Sequence, residues 1–291
     1  MSKVYGSIEA GGTKFVCAIG NDQLEIIERV SYPTTNPKET LKLVIDFFNK
    51  FDLKIEGIGI GSFGPIDIQK SSKTYGYIKS SPKIEWQNFD FLGTMKKAFN
   101  CPIAWTTDVN AACFGEYSLG NGYGKDNVSY YTVGTGVGGG AISQGAFLEG
   151  ASHPEMGHMF VKKNNGDTFE GICPFHKDCL EGLVSGPALE KRTGEKGKNI
   201  SAINPVWNLE ANYIAQCVYN TTLMLSPDII ILGGGVMKQE HLLKKIKEEF
   251  SSLMNEYVKI PDLDNYITTP KLGDNAGTIG CLALAVKESK K

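Results

Sequence analysis

No stretch of this sequence is long and apolar enough to cross a bilayer. The strongest apolar runs, such as Ile229–Leu232, fall far short of the roughly 20 residues that a membrane helix needs. No signal-peptide pattern precedes the first strand-like segment, which begins by Val4, so a cytoplasmic location is expected. Neither charge dominates: 30 Lys and Arg against 32 Asp and Glu leave a net charge of −2, which gives no footing for nucleic-acid binding. Low-complexity tracts are missing, and so is the G-x-x-x-x-G-K-[ST] phosphate loop. Histidine is scarce, with four in the chain, so any clustering of it carries weight. Of the seven Cys, five (Cys17, Cys101, Cys113, Cys217 and Cys281) are scattered through apolar contexts. They are expected to be small buried residues in a reducing compartment.

Glycine, by contrast, is plentiful and placed. Ser7–Ile19 reads SIEAGGTKFVCAI and Tyr131–Ile142 reads YTVGTGVGGGAI. Each is an apolar strand, a Gly/Thr turn and a second apolar strand. Gly lacks a Cβ, so such a turn can bring backbone N–H groups close to an anion. Two such hairpins suggest a duplicated domain with both turns facing one phosphate-bearing ligand. The length of 291 residues also favours two domains.

Apolar periodicity predicts strands over Val4–Glu9, Lys14–Ile19, Leu24–Val30, Ile55–Ser62 and Ile103–Thr106. Helices are predicted over Pro37–Phe51, Phe91–Phe99 and Asn110–Ser118. The second half repeats the theme with strands Val128–Val133, Gly140–Ser143 and Ile229–Leu232, and helices Asn204–Leu225, Lys238–Tyr257 and Ala276–Lys287. Between them a loop, Gly145–Glu181, has few apolar residues. This is the pattern of an α/β fold. The polar Gly/Asn segment Gly120–Asn127 suggests a boundary, giving a small α/β domain at 1–118 and a larger one at 119–275. The last helix, about 276–291, is expected to return to the first domain.

In the first turn, Gly11 and Gly12 would offer backbone donors, Thr13 a hydroxyl and Lys14 a cation to a phosphate. Glu9, just before it, would hold Mg²⁺ directly or through water. The second turn, with Thr135 and Gly136, carries five glycines in Gly134–Gly140. That exceeds what a hairpin needs and suggests close approach of a ligand. Asp108 stands where a strand ends and a helix begins. A carboxylate there can act as a general base toward a sugar hydroxyl, or merely cap the helix. Gly233-Gly234-Gly235-Val236-Met237 follows a strong strand, and suits either nucleotide contact or a tight turn. His158, Cys173, His176 and Cys179 form H-x14-C-x2-H-x2-C, four N and S ligands that suit structural tetrahedral Zn²⁺. The other histidines, His153 and His241, are read as loop and helix-surface residues.

Taken together, IEAGGTKF, GIGSFGPID, TTDVNAACFGE, VGTGVGGG, HPEMGH, CPFHKDCLEG, VSGPA and LGGGVM occur in one order across nearly the whole chain. In this the chain resembles the ROK (repressor, open reading frame, kinase) family of sugar kinases, and its bacterial fructokinase branch. The resemblance implies a two-domain ribonuclease-H-like (actin/hexokinase-like) fold that closes on hexose and ATP. It implies that Asp108 is the general base and that Thr135, Pro187 and Gly233–Met237 contact ATP. Gly64, Thr107, Glu155 and Glu181 would line the sugar pocket, and the four Cys and His residues would bind zinc. A homodimer is implied as well. The expected reaction is phosphorylation of fructose at the C6 hydroxyl. Mannose, glucose or a broad hexose range is the alternative. Glu9 stands where many relatives have Asp, and Thr107 where glucose-phosphorylating members carry Asn, which weakens the glucose assignment. A sugar-sensing regulator is disfavoured, because the eight residues before Glu9 hold no DNA-binding segment.

Overall fold

The computed structural model describes residues 3–291, which divide into two units. The first comprises the described residues up to Tyr123 with Leu148–His153 and Asp274–Lys291. The second comprises Gly124–Phe147 and Pro154–Gly273.

In the first unit, β1 (Val4–Ala10), β2 (Lys14–Gly20) and β3 (Ile26–Pro33) form an antiparallel meander. There follow α1 (Pro37–Asn49), β4 (Ile55–Ser62), the short strands β5 (Tyr77–Ile78) and β6 (Phe89–Asp90), α2 (Phe91–Ala98), β7 (Ile103–Thr107) and α3 (Asp108–Leu119). The long strands make one sheet in the order β3-β2-β1-β4-β7, with β4 parallel to both neighbours. Ala10 pairs with Ser62, and Ser62 with Thr107. The ends of β1, β4 and β7 therefore fall in one row. Whatever follows each strand emerges at one sheet edge, the usual ligand edge of a parallel sheet.

Local chemistry explains the flanking elements. Asn36 caps α1 by accepting the Glu39 N–H at 3.0 Å, Pro37 opens it, and Leu41, Val44, Phe47 and Phe48 bury one face. Beneath lies an aromatic cluster of Phe15, Phe63, Trp86, Phe91 and Trp105. The C-terminal helix, Ala276–Glu288, packs on β1, β4 and α3 by backbone approach. A Cβ at Gly59 would strike the Cys281 carbonyl, and one at Gly280 the Ala111 carbonyl of α3.

The second unit begins with the antiparallel strands β8 (Asn127–Val133), β9 (Val137–Ser143) and β10 (Ala146–Phe147). It continues with α4 (Leu180–Val184), α5 (Gly186–Thr193), α6 (Val206–Leu225), β11 (Ile229–Gly233), α7 (Glu240–Met254), α8 (Leu263–Tyr266) and β12 (Ile267–Thr268). Its sheet runs β10-β9-β8-β11-β12, with β11 parallel to β8 and β12. The arrangement β9-β8-β11 repeats β2-β1-β4 of the first unit. Trp207, Tyr213, Ile246 and Phe250 anchor its core.

Three expectations need correction. The third strand starts at Ile26, not Leu24, because the Asn21 side chain accepts the Gln23 and Glu25 N–H groups and turns the chain, with Leu24 at φ 66°. β9 starts at Val137, not Gly140, so Gly138–Gly140 are paired strand residues. At Gly139 the close approach comes from the protein itself, since a Cβ would lie 2.7 Å from Met156 and Tyr131. Finally, the loop expected to have little to bury packs Met156, Met159, Val161 and Phe169 against the core, and it is followed by two short helices, α4 starting at its last residues, that periodicity missed.

Candidate active site and metal centre

At the edge of the first sheet, the β1–β2 turn is closed by Gly11, whose N–H donates to the Lys14 carbonyl at 3.0 Å. The end of β3 holds it from the side: the Thr34 hydroxyl donates to the Gly11 carbonyl at 2.7 Å, and its N–H to the Thr13 carbonyl at 2.9 Å. Gly11 therefore stabilises the turn. Gly12 faces open space, where an added Cβ would meet nothing within 4 Å. Thr13 and Lys14 are exposed. Glu9, just before the turn, meets the start of the C-terminal helix. Its carboxylate accepts the Thr278 hydroxyl at 3.1 Å, and Gly277 has no Cβ because that carboxylate lies against it. Burial pushes the Glu9 carboxyl above the usual range, against the pull of Thr278, Arg29 and Lys14.

The row of strand ends carries Asp108. Thr107 is the residue that caps α3, its hydroxyl accepting the Asn110 N–H at 3.1 Å. Asp108 is the first helical residue, with Oδ1 accepting the Val109 N–H at 2.8 Å. The N-cap position thus belongs to Thr107, with Asp108 one residue inside the helix. Thr107 is buried and Asp108 partly buried. Gly61 lets α3 come this close, since its Cβ would lie 2.6 Å from that of Ala111 and 3.3 Å from the Asp108 Cα. Gly64, two residues beyond β4, forms a cis peptide with Pro65.

At the edge of the second sheet, three glycine-bearing segments converge. The β8–β9 turn is closed by the Gly134 N–H on the Gly136 carbonyl at 2.8 Å, and the start of α5 joins it through the Gly186 N–H on the Gly134 carbonyl at 2.7 Å. The turn after β11 arrives with Gly234 at φ +95° and Gly235 N 3.8 Å from where a Gly134 Cβ would stand. Thr135 and Pro187 are exposed at this junction. Val236 and Met237 are buried, so any ligand meets their backbone rather than their side chains. Glu181 of α4 lies over the turn, with Oε2 accepting the Val137 N–H at 2.9 Å. Glu155 is exposed, and its carbonyl accepts the His158 N–H at 3.0 Å.

The metal-ligand residues come together as their spacing predicted. Cys173 and Lys177 exchange backbone hydrogen bonds of 3.1 and 2.9 Å, and Leu180 donates to the Met159 carbonyl at 2.9 Å. These bonds bring the His158 segment beside the Cys-x-x-His-x-x-Cys turn. The His158 Nδ1 lies 3.7 Å from the Cys173 sulfur and 3.5 Å from that of Cys179, and the His176 Nδ1 lies 3.7 Å from that of Cys173. All four ligand atoms sit within 4.8 Å of one another. A tetrahedron with metal–ligand bonds of about 2.0–2.3 Å has edges of roughly 3.3–3.8 Å, so the four can hold one divalent metal such as zinc. Burial pushes the Cys179 thiol up to about 11, although the Gly182 N–H pulls it down. A bound cation would reverse that preference and hold the sulfur as thiolate.

His153 lies in a loop and His241 on α7, as read from the sequence, but what each of them meets was not legible. His153 is buried, and its Nε2 accepts the Ile66 N–H at 3.1 Å. His241 packs edge-on to Trp207, with ring centroids 5.2 Å apart. Neither has a periodic signature, because each takes its partner from a distant element. Thr278, the partner of Glu9, was missed for the same reason.

Two α/β sheets of repeated topology, each opened by a glycine hairpin, with a carboxylate at a row of parallel strand ends, define a ribonuclease-H-like fold. The ROK family model matches residues 5–288, and the chain belongs to that family. It is 49% identical over 291 residues to a fructokinase of Streptococcus mutans, covering 99% of each chain. It is 49% identical over 282 residues to a fructokinase of Pediococcus pentosaceus, covering 97% of each. Its fold is similar to the crystal structure of a ROK glucokinase from Streptomyces griseus in complex with glucose and AMPPNP. That match has a TM-score of 0.78 at 23% identity, covering 99% of this chain and 100% of the other.

Proposed function

We propose that this protein transfers the γ-phosphate of ATP to the C6 hydroxyl of fructose, giving fructose 6-phosphate. The observation that carries the reading is Asp108: a carboxylate on the first residue of α3, next to the capping Thr107, at the row where β1, β4 and β7 end. The near-half identity to fructokinases supports the choice of sugar. Asp108 takes the proton of the C6 hydroxyl as the oxygen attacks. Gly12 and Thr13 of one turn, and Thr135 and Gly136 of the other, with Lys14, Pro187 and the backbone of Gly233–Met237, hold the nucleotide. Gly64, Thr107, Glu155 and Glu181 hold the sugar. Positioning and charge stabilisation supply most of the rate, since phosphoryl transfer leaves a protein little covalent work. Glu9 would hold Mg²⁺ brought with ATP, directly or through water, and the ion would neutralise phosphate charge there. Zinc on His158, Cys173, His176 and Cys179 is structural, because four protein ligands leave no open position. The enzyme works in the cytoplasm, where ATP is supplied, as a homodimer; sedimentation at twice the monomer mass would support that assembly.

The test is ADP release with ATP, Mg²⁺ and a panel of hexoses. Fructose should give the highest kcat/KM, and Asp108→Asn should lower kcat by about 10²–10⁴-fold while ATP still binds. A higher kcat/KM for glucose or mannose would reassign the sugar. Normal turnover by Asp108→Asn would reassign the base.

A further inference from the structure

The chain leaves the second unit after Phe147 and resumes it at Pro154; between them, Leu148–His153 belongs to the first unit. Two long-range hydrogen bonds tie it there. The buried His153 ring accepts the Ile66 N–H on Nε2 at 3.1 Å, and the Gln69 side-chain amide donates to the Gly150 carbonyl. Both bonds grip one stretch, Ile66–Gln69, which follows Phe63-Gly64-Pro65 at the end of β4.

Most of that stretch is fixed by its own neighbours. The Asp67 carboxylate accepts the Ser72 and Thr74 hydroxyls, each at 2.6 Å, and the Gln69 N–H at 2.9 Å. Trp105 of β7 donates to the Asp67 carbonyl at 3.1 Å, and the Asp67 N–H donates to Tyr77 at 2.9 Å. The Ile66 N–H is satisfied by the imidazole instead. A buried N–H left without an acceptor is costly. An imidazole nitrogen accepts only when it carries no proton, so this contact assigns the lone pair to Nε2 and the proton to Nδ1. The ring thus supplies an uncharged acceptor to backbone two residues beyond Gly64.

We infer that His153 is a positioning residue for the sugar: by holding the Ile66 N–H it sets the course of the Gly64–Ile66 backbone beyond β4, at the sheet edge where Thr107 also ends its strand. The inference rests on the sugar-kinase reading, since Gly64 is a sugar contact only within it.

The test is steady-state kinetics of the full-length protein, with fructose and ATP varied in turn. His153→Ala should raise KM for fructose about tenfold and leave KM for ATP within about twofold, as expected when one buried acceptor is lost at the sugar side only. His153→Gln offers an uncharged acceptor at similar reach and should restore KM for fructose to within about threefold of wild type. Gln69→Ala, which removes the more exposed tie, should shift the same constant in the same direction by less. It also carries the test if His153→Ala does not fold. An unchanged KM for fructose in a folded variant overturns the inference, and so does a parallel rise in both KM values. Wild-type protein inactive on every hexose would sink the kinase reading itself and this inference with it. Active wild type with indifferent variants sinks the inference alone.

Discussion

Gly12 and Gly139 are the same residue type under different physics. A methyl group on Gly12 would enter open space, whereas one on Gly139 would collide with Met156 and Tyr131 at 2.7 Å. Gly12→Ala should therefore leave the melting temperature unchanged while raising KM for ATP about tenfold, or about 1.4 kcal/mol of lost binding. Gly139→Ala should destabilise the fold by about 1–3 kcal/mol through overpacking, read as a lower urea midpoint. A Gly12→Ala protein with normal ATP kinetics would remove the first turn from the nucleotide site. The sequence presented these glycines alike, as donors for an anion. Both hairpins form where it placed them, since composition and strand flanks are local. It could not say which glycines face solvent and which face Met156, because that depends on a chain segment some 17 residues away. Asp108 shows the same division. Its place between strand and helix was legible, but only the Thr107 hydroxyl on Asn110 N–H settled which of the two residues caps α3.

Among the elements, the zinc-type loop joins two roles that the sequence kept separate. Its ligand spacing was readable from four residues, and the predicted cluster formed. Its packing was not readable, because Met156, Met159, Val161 and Phe169 are too widely spaced to show a period. The Cys173–Lys177 turn also seats directly on α4, where a Cβ at Gly182 would strike the Lys177 carbonyl. Loss of the metal should therefore be felt beyond the loop, since α4 carries Glu181 over the β8–β9 turn. Cys173→Ala should lower bound zinc from about one per chain to near zero and depress the melting temperature. Metal analysis with calorimetry reads both. A metal-free protein that melts like wild type would show the loop to be self-supporting. The long helices posed no such difficulty: α1 and α7 announced themselves through a strong one-sided apolar pattern, and ended within a few residues of expectation.

Over the whole molecule, stability should depend on pH through a few buried carboxyls. Burial alone would raise Asp167, but hydrogen bonds from Arg192, Tyr213 and the Phe169 N–H, with the Arg192 charge, hold it at about 2 against an ordinary value of 3.8. A carboxyl depressed on folding stabilises above its unfolded value and loses that contribution as pH falls through its folded value. The window for Asp167 is therefore about pH 4 down to 2, and the contribution is roughly 2 kcal/mol. Asp167→Asn should lower stability at pH 7 by at least that amount, because Arg192 loses its buried partner, and should flatten the acid slope seen in urea melts. An unchanged slope would place the acid sensitivity elsewhere. Glu9 and Glu210, both raised by burial, act in the opposite sense: the stability they favour is present below their unfolded values and is lost as pH rises through their folded ones.

The sequence by itself determined what repeats and what is spaced along the chain: the paired glycine hairpins, the alternation of strands and helices, the four-ligand metal pattern and the order of family motifs. These follow from neighbours in the chain, where composition, period and turn chemistry act directly. Only the tertiary structure decided what each of those residues meets. It aligned Ala10, Ser62 and Thr107 by strand register, set Glu9 against Thr278 of the last helix, and closed the Ile66 N–H with a histidine 87 residues away. Such contacts arise because buried polar groups must find partners wherever folding brings one, at distances along the chain that no local pattern encodes.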